Sequence, residues 1–158
     1  MDVRHNVVAS AIFESPFSHW AFRETTVSPV VSARSGVPFN LYLGSSVNGD
    51  TITTDRPFNA PRNSGQGPGF VSVDLRLTRR FLLPRTRAGM RAELIVEATN
   101  LLNRVNYLRV NDVIGLDPRY LDGPYDLKGR RGIAPSEPLA FSAAYPARQF
   151  QLGFRFVF

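Results

Sequence analysis

The end of the chain alternates between apolar side chains and polar or small ones. Successive side chains of a β-strand point to opposite faces, so residues 149–158 are predicted to form a strand with one apolar face. That face carries Phe150, Leu152, Phe154, Phe156 and Phe158, and the other carries Gln149, Gln151, Gly153, Arg155 and Val157. An exposed apolar strand at a sheet edge invites aggregation. We therefore expect an apolar partner to cover this strand.

Two internal segments show the same period of two, with charged residues on the polar side. In residues 70–81 the apolar side contains Val71, Val73, Leu75 and Leu77, and the polar side contains Ser72, Asp74, Arg76 and Thr78. In residues 90–99 the apolar side contains Met90, Ala92, Leu94, Val96 and Ala98, and the other side contains Arg91, Glu93, Ile95, Glu97 and Thr99. Both segments are predicted strands with one face suited to water.

The first part of the chain predicts two further strands with less regular patterns. Residues 6–13 alternate weakly, which still favours a strand over a helix. A long extended stretch follows from about Trp20 to Leu43, interrupted by Pro29, Gly36 and Pro38, which suit bulges or a kink. Together with the three clearer segments, this gives about five principal strands.

The connections between these strands alternate in length. They are short at residues 14–19 and 83–89, and long at residues 44–68 and about 103–147. Short turns on one side and long loops on the other are typical of outer-membrane β-barrels, with periplasmic turns and extracellular loops. If Phe158 lies at the periplasmic end, strand parity places both short turns inside and both long loops outside. We predict an all-β fold, an antiparallel up-and-down meander of about five long strands that forms a partial transmembrane β-barrel.

A soluble sandwich or open barrel would show the same alternation. A transmembrane barrel is favoured for two reasons. The apolar side continues to the final residue, and the opposite side of nearly every strand carries charged residues, which a water-filled lumen tolerates. The residues expected to face lipid are Val71, Val73, Leu75, Leu77, Leu94, Val96, Phe150 and Leu152. Those expected to face the lumen are Asp74, Arg76, Arg91, Glu93, Glu97 and Arg155. Trp20, Phe22, Phe81 and Phe158 are candidates for an aromatic girdle at the membrane interface.

Composition narrows the class of protein only slightly. The chain has 158 residues, 43% of them hydrophobic, which suffices for one domain with a core. No segment approaches the ~20 apolar residues of a membrane-spanning helix, whereas a transmembrane strand needs only about 9–11. The absence of cysteine excludes disulfides and thiol chemistry, and the net charge of +6 is spread rather than clustered. The N-terminal residues predict no secretory signal peptide, so we expect the chain to be incomplete if it acts outside the cytoplasm.

No catalytic arrangement stands out, and we predict a protein that is not an enzyme and binds no cofactor or metal. His5 and His19 flank the first strand, which argues against a shared metal site. Residues 48–50 lack the carboxylate spacing of an EF-hand and predict a turn. The glycine-rich residues 65–69 lack the lysine and helix of a phosphate-binding loop, so they predict a plain loop. The basic residues 128–131 predict a solvated loop, with contact to lipopolysaccharide phosphates as the alternative.

Residues 151–158 resemble the insertion signal of outer-membrane proteins, in which a polar residue and a glycine precede aromatic residues that include the last one. Gln151, Gly153, Phe154, Phe156 and Phe158 carry the match. The resemblance implies that the barrel-assembly machinery recognises the last strand, through edge pairing of exposed backbone groups.

Further motifs resemble TonB-dependent receptors of the Oar-like branch. Residues 97–107 resemble a corner in which an alternating strand leads into Asn100, Asn103 and Asn106. Residues 145–151 are similar to the Pro-Arg-x-x-Gln start of that branch's last strand. Three shorter motifs are similar to its preceding hairpins, at residues 2–5, 35–39 and 55–57, the last followed by Arg62 and Asn63.

The resemblance covers nearly the whole chain. It implies that residues 1–158 are the C-terminal segment of a TonB-dependent receptor barrel, which takes up a ligand across the outer membrane of a Gram-negative bacterium. Such a receptor has a plug domain and a barrel of about 22 strands, so the plug and earlier strands are absent and we expect a fragment. The implied partners are outer-membrane lipid, the barrel-assembly machinery, the remaining barrel and plug, and TonB only through the missing plug.

Two other functions stay open. The first is a soluble, basic all-β binding module, which would bind nucleic acid only with aromatic and basic residues interleaved on one sheet face. Here aromatic and charged residues mostly occupy opposite faces, so no nucleic-acid partner is expected. The second is a small autonomous or oligomeric outer-membrane barrel.

Overall fold

The computed structural model describes residues 3–20, 22–82, 90–123 and 125–158. Its elements are β1 (Asn6–Ser10), β2 (Phe13–Glu14), β3 (Thr25–Arg34), β4 (Pro38–Phe39), β5 (Gly65–Gln66), β6 (Phe70–Leu82), β7 (Arg91–Thr99), β8 (Tyr107–Val110), α1 (Pro118–Leu121), β9 (Phe141–Ala144) and β10 (Gln149–Val157). The fold is all-β with antiparallel sheets, as predicted. The predicted short connection at residues 83–89, and Asp2 of the motif at residues 2–5, lie outside the described residues.

The long strands form one sheet in the order β1, β3, β6, β7, β10, and β2 also pairs with β3. Each long strand therefore lies beside the next long strand of the chain, as a meander requires. Two small sheets contain β4 with β5 and β8 with β9. In the described ranges, no helix is both long and apolar enough to cross a membrane.

The first predicted strand is divided into β1 and β2 at the position that faces a proline. The N–H of Ala11, between the two strands, donates to the carbonyl of Pro29 at 3.2 Å. Opposed residues of this kind in antiparallel strands exchange two such hydrogen bonds, but proline has no N–H to donate in return. The ladder therefore loses one hydrogen bond beside Pro29, which accounts for the interruption between β1 and β2.

The predicted extended stretch from Trp20 to Leu43 is shorter than expected, because Trp20 belongs to a turn. The carbonyl of His19 accepts hydrogen bonds from the N–H groups of Phe22 and Arg23, both at 3.0 Å. Extended backbone begins only with β3, and β4 follows after the interruption predicted at Gly36.

The chain folds as two compact units. The sheet unit contains Val7–Ala33, Val71–Arg104 and Pro146–Phe158. The loop unit contains Met1–Asn6, Arg34–Phe70 and Val105–Tyr145. The sheet unit therefore holds most of the long strands, and the loop unit holds most of the two segments predicted as long connections.

The main apolar core of the described residues lies in the loop unit. Its buried members are Leu41, Leu43, Ala60, Ile114, Tyr120 and Leu139. The segments predicted as long connections, residues 44–68 and about 103–147, contain β5, β8, α1 and β9 and supply four members of this core. The sheet unit contributes none of this cluster.

Candidate functional site

The cross-strand register places the apolar residues of β6, β7 and β10 on one face of the sheet unit, here called the apolar face. Leu77 lies opposite Val96, and Val96 lies opposite Leu152. Directly opposed side chains of neighbouring strands share a face. With the alternation along each strand, this face includes every residue predicted to face lipid, namely Val71, Val73, Leu75, Leu77, Leu94, Val96, Phe150 and Leu152.

The apolar face is most exposed along β10. Phe150, Leu152, Phe154 and Phe156 are 63%, 74%, 74% and 69% exposed. Phe158, which follows the end of β10, is 98% exposed. A contiguous apolar surface of this kind is uncommon on a monomeric soluble protein and marks a site of interaction.

The opposite face, here called the polar face, contains all the residues predicted to face a lumen: Asp74, Arg76, Arg91, Glu93, Glu97 and Arg155. Arg76 lies directly opposite Glu97, and their side chains form an ion pair at 3.3 Å. Opposite charges on neighbouring strands stabilise a sheet modestly. The two faces of the sheet thus differ sharply in chemistry.

Three arginines surround Glu93 on the polar face. Arg80 on β6 and Arg155 on β10 lie directly opposite Glu93, and Arg91 precedes it on β7. Their nearest nitrogens are 3.8, 3.6 and 3.6 Å from its carboxylate, for Arg80, Arg155 and Arg91 respectively. The Glu93 side chain is only 10% exposed. The sequence prediction missed Arg80, although the alternation that placed Arg76 on this face extends to it.

Asp74, on the polar face, accepts two hydrogen bonds from neighbouring residues. Its carboxylate accepts a hydrogen bond from the Ser72 hydroxyl at 2.7 Å and one from the N–H of Asn100 at 2.8 Å. Ser72 and Asn100 are both buried. Asp74 therefore holds the end of β7 against β6.

An asparagine corner follows β7. Asn100 and Asn103 both have a φ of 50°, in the left-handed region that asparagine adopts more readily than other non-glycine residues. The Asn100 side chain closes the corner, because its Oδ1 accepts from the N–H of Arg104 at 3.0 Å and its Nδ2 donates to the Arg104 carbonyl at 2.9 Å.

The same corner holds the segment that leads into β10. Asn103 Oδ1 accepts a hydrogen bond from the N–H of Arg148 at 3.1 Å, and the Arg148 guanidinium donates to the carbonyl of Leu101 at 3.3 Å. Asn100 Nδ2 also donates to the carbonyl of Pro146 at 3.4 Å. Residues 97–107 and 145–151, which carry two of the receptor-like motifs, are therefore in contact.

One arginine of β6 lies on the apolar face. The Arg79 guanidinium lies 4.9 Å from the Phe81 ring centre and 5.9 Å from that of Trp20, and it donates to the Trp20 carbonyl. Such cation–π contacts favour a guanidinium beside aromatic rings. Trp20 and Phe22 both pack against the His19 ring, with centroids 6.0 Å apart in each case. Three of the predicted girdle residues, Trp20, Phe22 and Phe81, thus belong to one aromatic cluster.

The fourth girdle residue, Phe158, lies at the same end of the sheet by register. It follows Val157, which lies opposite Arg91, and Arg91 also lies opposite Leu82. Phe17 extends the aromatic cluster through an edge-on contact with Phe22 at 6.4 Å. Phe17 and Arg79 were not predicted to belong to this cluster, because neither fits a strand's apolar alternation.

In the loop unit, residues 48–50 form a hydrogen-bonded turn. The Asp50 carboxylate accepts from the N–H of Ile52 at 2.8 Å, from the Asn48 amide at 2.9 Å and from the Ser46 hydroxyl at 3.3 Å. These hydrogen bonds, with that of Ile52 contributing most, hold the pKa of Asp50 below its usual range. One backbone N–H and two side chains thus donate hydrogen bonds to this carboxylate.

The glycine-rich residues 65–69 are not simply a loop, because Gly65 and Gln66 form β5. A β-carbon on Gly65 would lie 2.5 Å from the Phe39 ring, and one on Gly67 would lie 2.7 Å from the Val37 carbonyl oxygen. The N–H of Gly67 also donates to that oxygen at 3.0 Å. The glycines therefore allow the close approach of this segment to β4.

A cavity of about 740 Å³ lies within the loop unit. Its lining includes Arg34, Phe70, Arg109 and Tyr145. The Arg34 guanidinium lies 4.9 Å from the Phe70 ring and 5.5 Å from the Tyr145 ring, and it donates to the Tyr145 hydroxyl. The aromatic rings thus fix Arg34 at the wall of the cavity.

The basic residues 128–131 include one arginine with a defined partner. Arg130 donates to the Tyr120 hydroxyl at 3.1 Å and its guanidinium lies 5.1 Å from the Tyr120 ring. Tyr120 belongs to the core of the loop unit. Arg130 therefore packs against the protein's own core.

Comparisons with known proteins identify no relative. No family model, curated protein or solved structure matches the chain. Within the described ranges, no group of three or more His, Asp or Glu side chains is arranged to hold a metal ion. The functional conclusion therefore depends on the two faces of the sheet and on the sequence motifs.

Proposed function

We propose that this chain forms part of the wall of an outer-membrane β-barrel and belongs to a TonB-dependent receptor that takes up a ligand. The main observation behind this proposal is that one face of the sheet is apolar and exposed, while the opposite face carries ion-paired side chains. Lipid would cover Leu152 and Phe154, while Glu97 and Arg155 would face an aqueous lumen. Alternation of this kind, apolar outward and polar inward, is typical of transmembrane barrels.

The position of the core supports the membrane over a soluble sandwich. In a sandwich the inward faces of two sheets interdigitate and form the main core. Here the buried cluster comes from the loop unit, and the phenylalanines of β10 are mostly exposed. A bilayer supplies the apolar environment that the sheet unit lacks.

The sheet edge at β10 supports a role in a larger barrel. In the described residues β10 pairs with β7 and has no neighbour on its other side. Such an edge presents unpaired N–H and C=O groups, which either a further strand or the assembly machinery would bind. Five strand positions are also fewer than the about 8 of the smallest single-chain barrels.

The receptor assignment is supported by the motifs that meet at the asparagine corner. Asn103 and Arg148, from two receptor-like segments far apart in the chain, are joined by a hydrogen bond. In the receptor, this segment supplies lipid-facing wall, lumen-facing charge and surface loops. Ligand gating and the contact with TonB belong to the plug.

Single cysteine labels test the membrane orientation directly, because the chain contains no cysteine. The full chain with Gln151→Cys, Leu152→Cys or Gly153→Cys would carry one fluorophore and be reconstituted in vesicles with brominated lipids. We expect strong lipid quenching at position 152 and weak quenching at 151 and 153. Equal quenching at all three positions, with equal access for an aqueous quencher, would exclude a membrane-facing strand and favour the soluble binding module.

The receptor assignment needs a separate measurement. An antibody against this chain should detect the native protein in the outer-membrane fraction of the source cells. A band far larger than 17.6 kDa would support a full receptor with plug and complete barrel. A native protein of the chain's own mass in that fraction would instead indicate a small autonomous or oligomeric barrel.

A further inference from the structure

We propose that the polar face contains an anion-binding site, formed by the three arginines around Glu93, for a ligand with two carboxylate or phosphate groups. The proposal goes beyond the proposed function. It depends on residues of one sheet and would hold whether or not that sheet lies in a membrane.

The charges at this site are unbalanced. Arg80, Arg91 and Arg155 share the single carboxylate of Glu93. By contrast, Arg76 and Glu97 form a one-to-one pair at 3.3 Å on the same face. The cluster around Glu93 therefore attracts anions, while the neighbouring pair is electrically balanced.

The guanidinium groups retain free hydrogen-bond donors. Each guanidinium has five N–H donors, and the nitrogens of the three arginines lie 3.6–3.8 Å from the Glu93 oxygens, beyond direct hydrogen-bond distance. Their side chains are about half exposed or more, at 46%, 47% and 67% for Arg80, Arg91 and Arg155. An incoming oxyanion would therefore find donors suited to bidentate contacts.

The register sets the spacing of the site. Arg80 and Arg155 lie on strands that flank Glu93 on both sides, so their backbones are about two strand spacings, or roughly 10 Å, apart. Their long side chains converge on the carboxylate between them. Two acidic groups of one ligand could contact the two arginines at once, with Arg91 offering a third contact.

Gly153 lies beside the site on the polar face. This residue lies opposite Ile95, in the row next to Arg155 and Glu93. A β-carbon at Gly153 would make only an ordinary contact, 3.6 Å from the Ile95 β-carbon. Glycine places no side chain at this position, so none stands between Arg155 and an approaching ligand there.

Titration calorimetry with the full chain in a non-ionic detergent tests this site at low ionic strength, where screening is weak. The probes are pyrophosphate and citrate, and the detergent avoids competing lipid phosphates. Arg155→Gln should weaken binding at least about tenfold, because it removes a charge-assisted hydrogen bond to the bound oxyanion. Arg76→Gln, the matched control, should change affinity by less than about twofold.

Glu93→Gln should change the affinity for the probes in the opposite direction. Removing the internal competitor should tighten binding of the probes at least about threefold, because the three arginines then face only the ligand. Binding of pyrophosphate alone would identify a phosphate ligand, and binding of citrate alone a carboxylate ligand. The proposal is overturned if neither probe binds, if Arg76→Gln weakens binding as much as Arg155→Gln, or if Glu93→Gln weakens it. Circular dichroism of each variant should show unchanged strand content.

Discussion

Asn103 Oδ1 accepts a hydrogen bond from the backbone N–H of Arg148 at 3.1 Å, although the two residues are far apart in the chain. Arg148 immediately precedes β10, and the first pair of that strand, Gln149 with Thr99, lies beside the corner. This hydrogen bond therefore helps to set the register in which the last strand joins β7. A slip of one residue would transfer the phenylalanines of β10 to the polar face.

Substitutions at Asn103 should separate its backbone role from its hydrogen bond. Asn103→Gly keeps the positive φ of 50° accessible but removes the acceptor, so we expect a loss of about 0.5–1.5 kcal/mol in unfolding free energy. Asn103→Ala adds left-handed strain and should cost about 1–2 kcal/mol more. Urea unfolding in detergent measures both. If alanine and glycine give the same loss, the positive φ does not contribute to the energetics of the corner.

Neighbouring residues of β7 should differ in how much a new charge destabilises the protein. Leu94 is on the apolar face, and Leu94→Arg should cost about 2–4 kcal/mol if it lies near the bilayer midplane. Ile95 is on the polar face, and Ile95→Arg is the matched control, with an expected cost of less than about 1 kcal/mol. The measurement is unfolding free energy in lipid vesicles. A cost that is equal at the two positions would argue against lipid at the apolar face.

The contact between Arg79 and Trp20 should be visible in fluorescence, because Trp20 is the single tryptophan. Arg79→Ala removes the cation–π contact and the hydrogen bond to the Trp20 carbonyl, so Trp20, already 70% exposed, should become more accessible to the neutral quencher acrylamide and its emission should shift to the red. Arg80→Ala removes the same charge from the polar face and serves as the control. Identical quenching of the two variants would show that charge alone, and no specific contact, protects Trp20.

The turn at Asp50 should have a defined pH dependence. Its folded pKa is lowered by hydrogen bonds from Ile52 and Asn48, so the turn is stabilised fully above the ordinary pKa of an aspartate. That stabilisation should be lost as the pH falls through the lower, folded pKa. Carboxyl chemical shifts measured during an acid titration give this pKa. Asn48→Ala should raise it toward the ordinary value, and an unchanged pKa would mean that the Asn48 amide has no role.

The faces of the strands could be predicted from sequence because the alternation is local. Leu94 and Glu93 differ in face simply because they are adjacent in a strand. The prediction also placed the carboxylate of Glu93 beside Arg91. It missed Arg80 because the adjacent Arg79 interrupts the alternation of apolar and polar residues after Thr78.

The core of the loop unit was not predictable in the same way. Leu41, Ile114 and Leu139 are fully buried, but they come from distant parts of the chain and show no shared period. Only tertiary contacts bring such residues together. The turn at Trp20 was missed for a related reason, since it is defined by hydrogen bonds to the His19 carbonyl that the residue types do not indicate.

The separation of the buried core from the exposed residues of β10 has a consequence for sequence divergence. Leu152 is 74% exposed on the apolar face, so packing within the protein constrains its shape little. Leu139 is fully buried, where truncation to alanine typically leaves a cavity that costs about 2–5 kcal/mol. Descendants of this gene should therefore exchange Leu152 freely among apolar residues of different size. At Leu139 they should preserve both volume and shape.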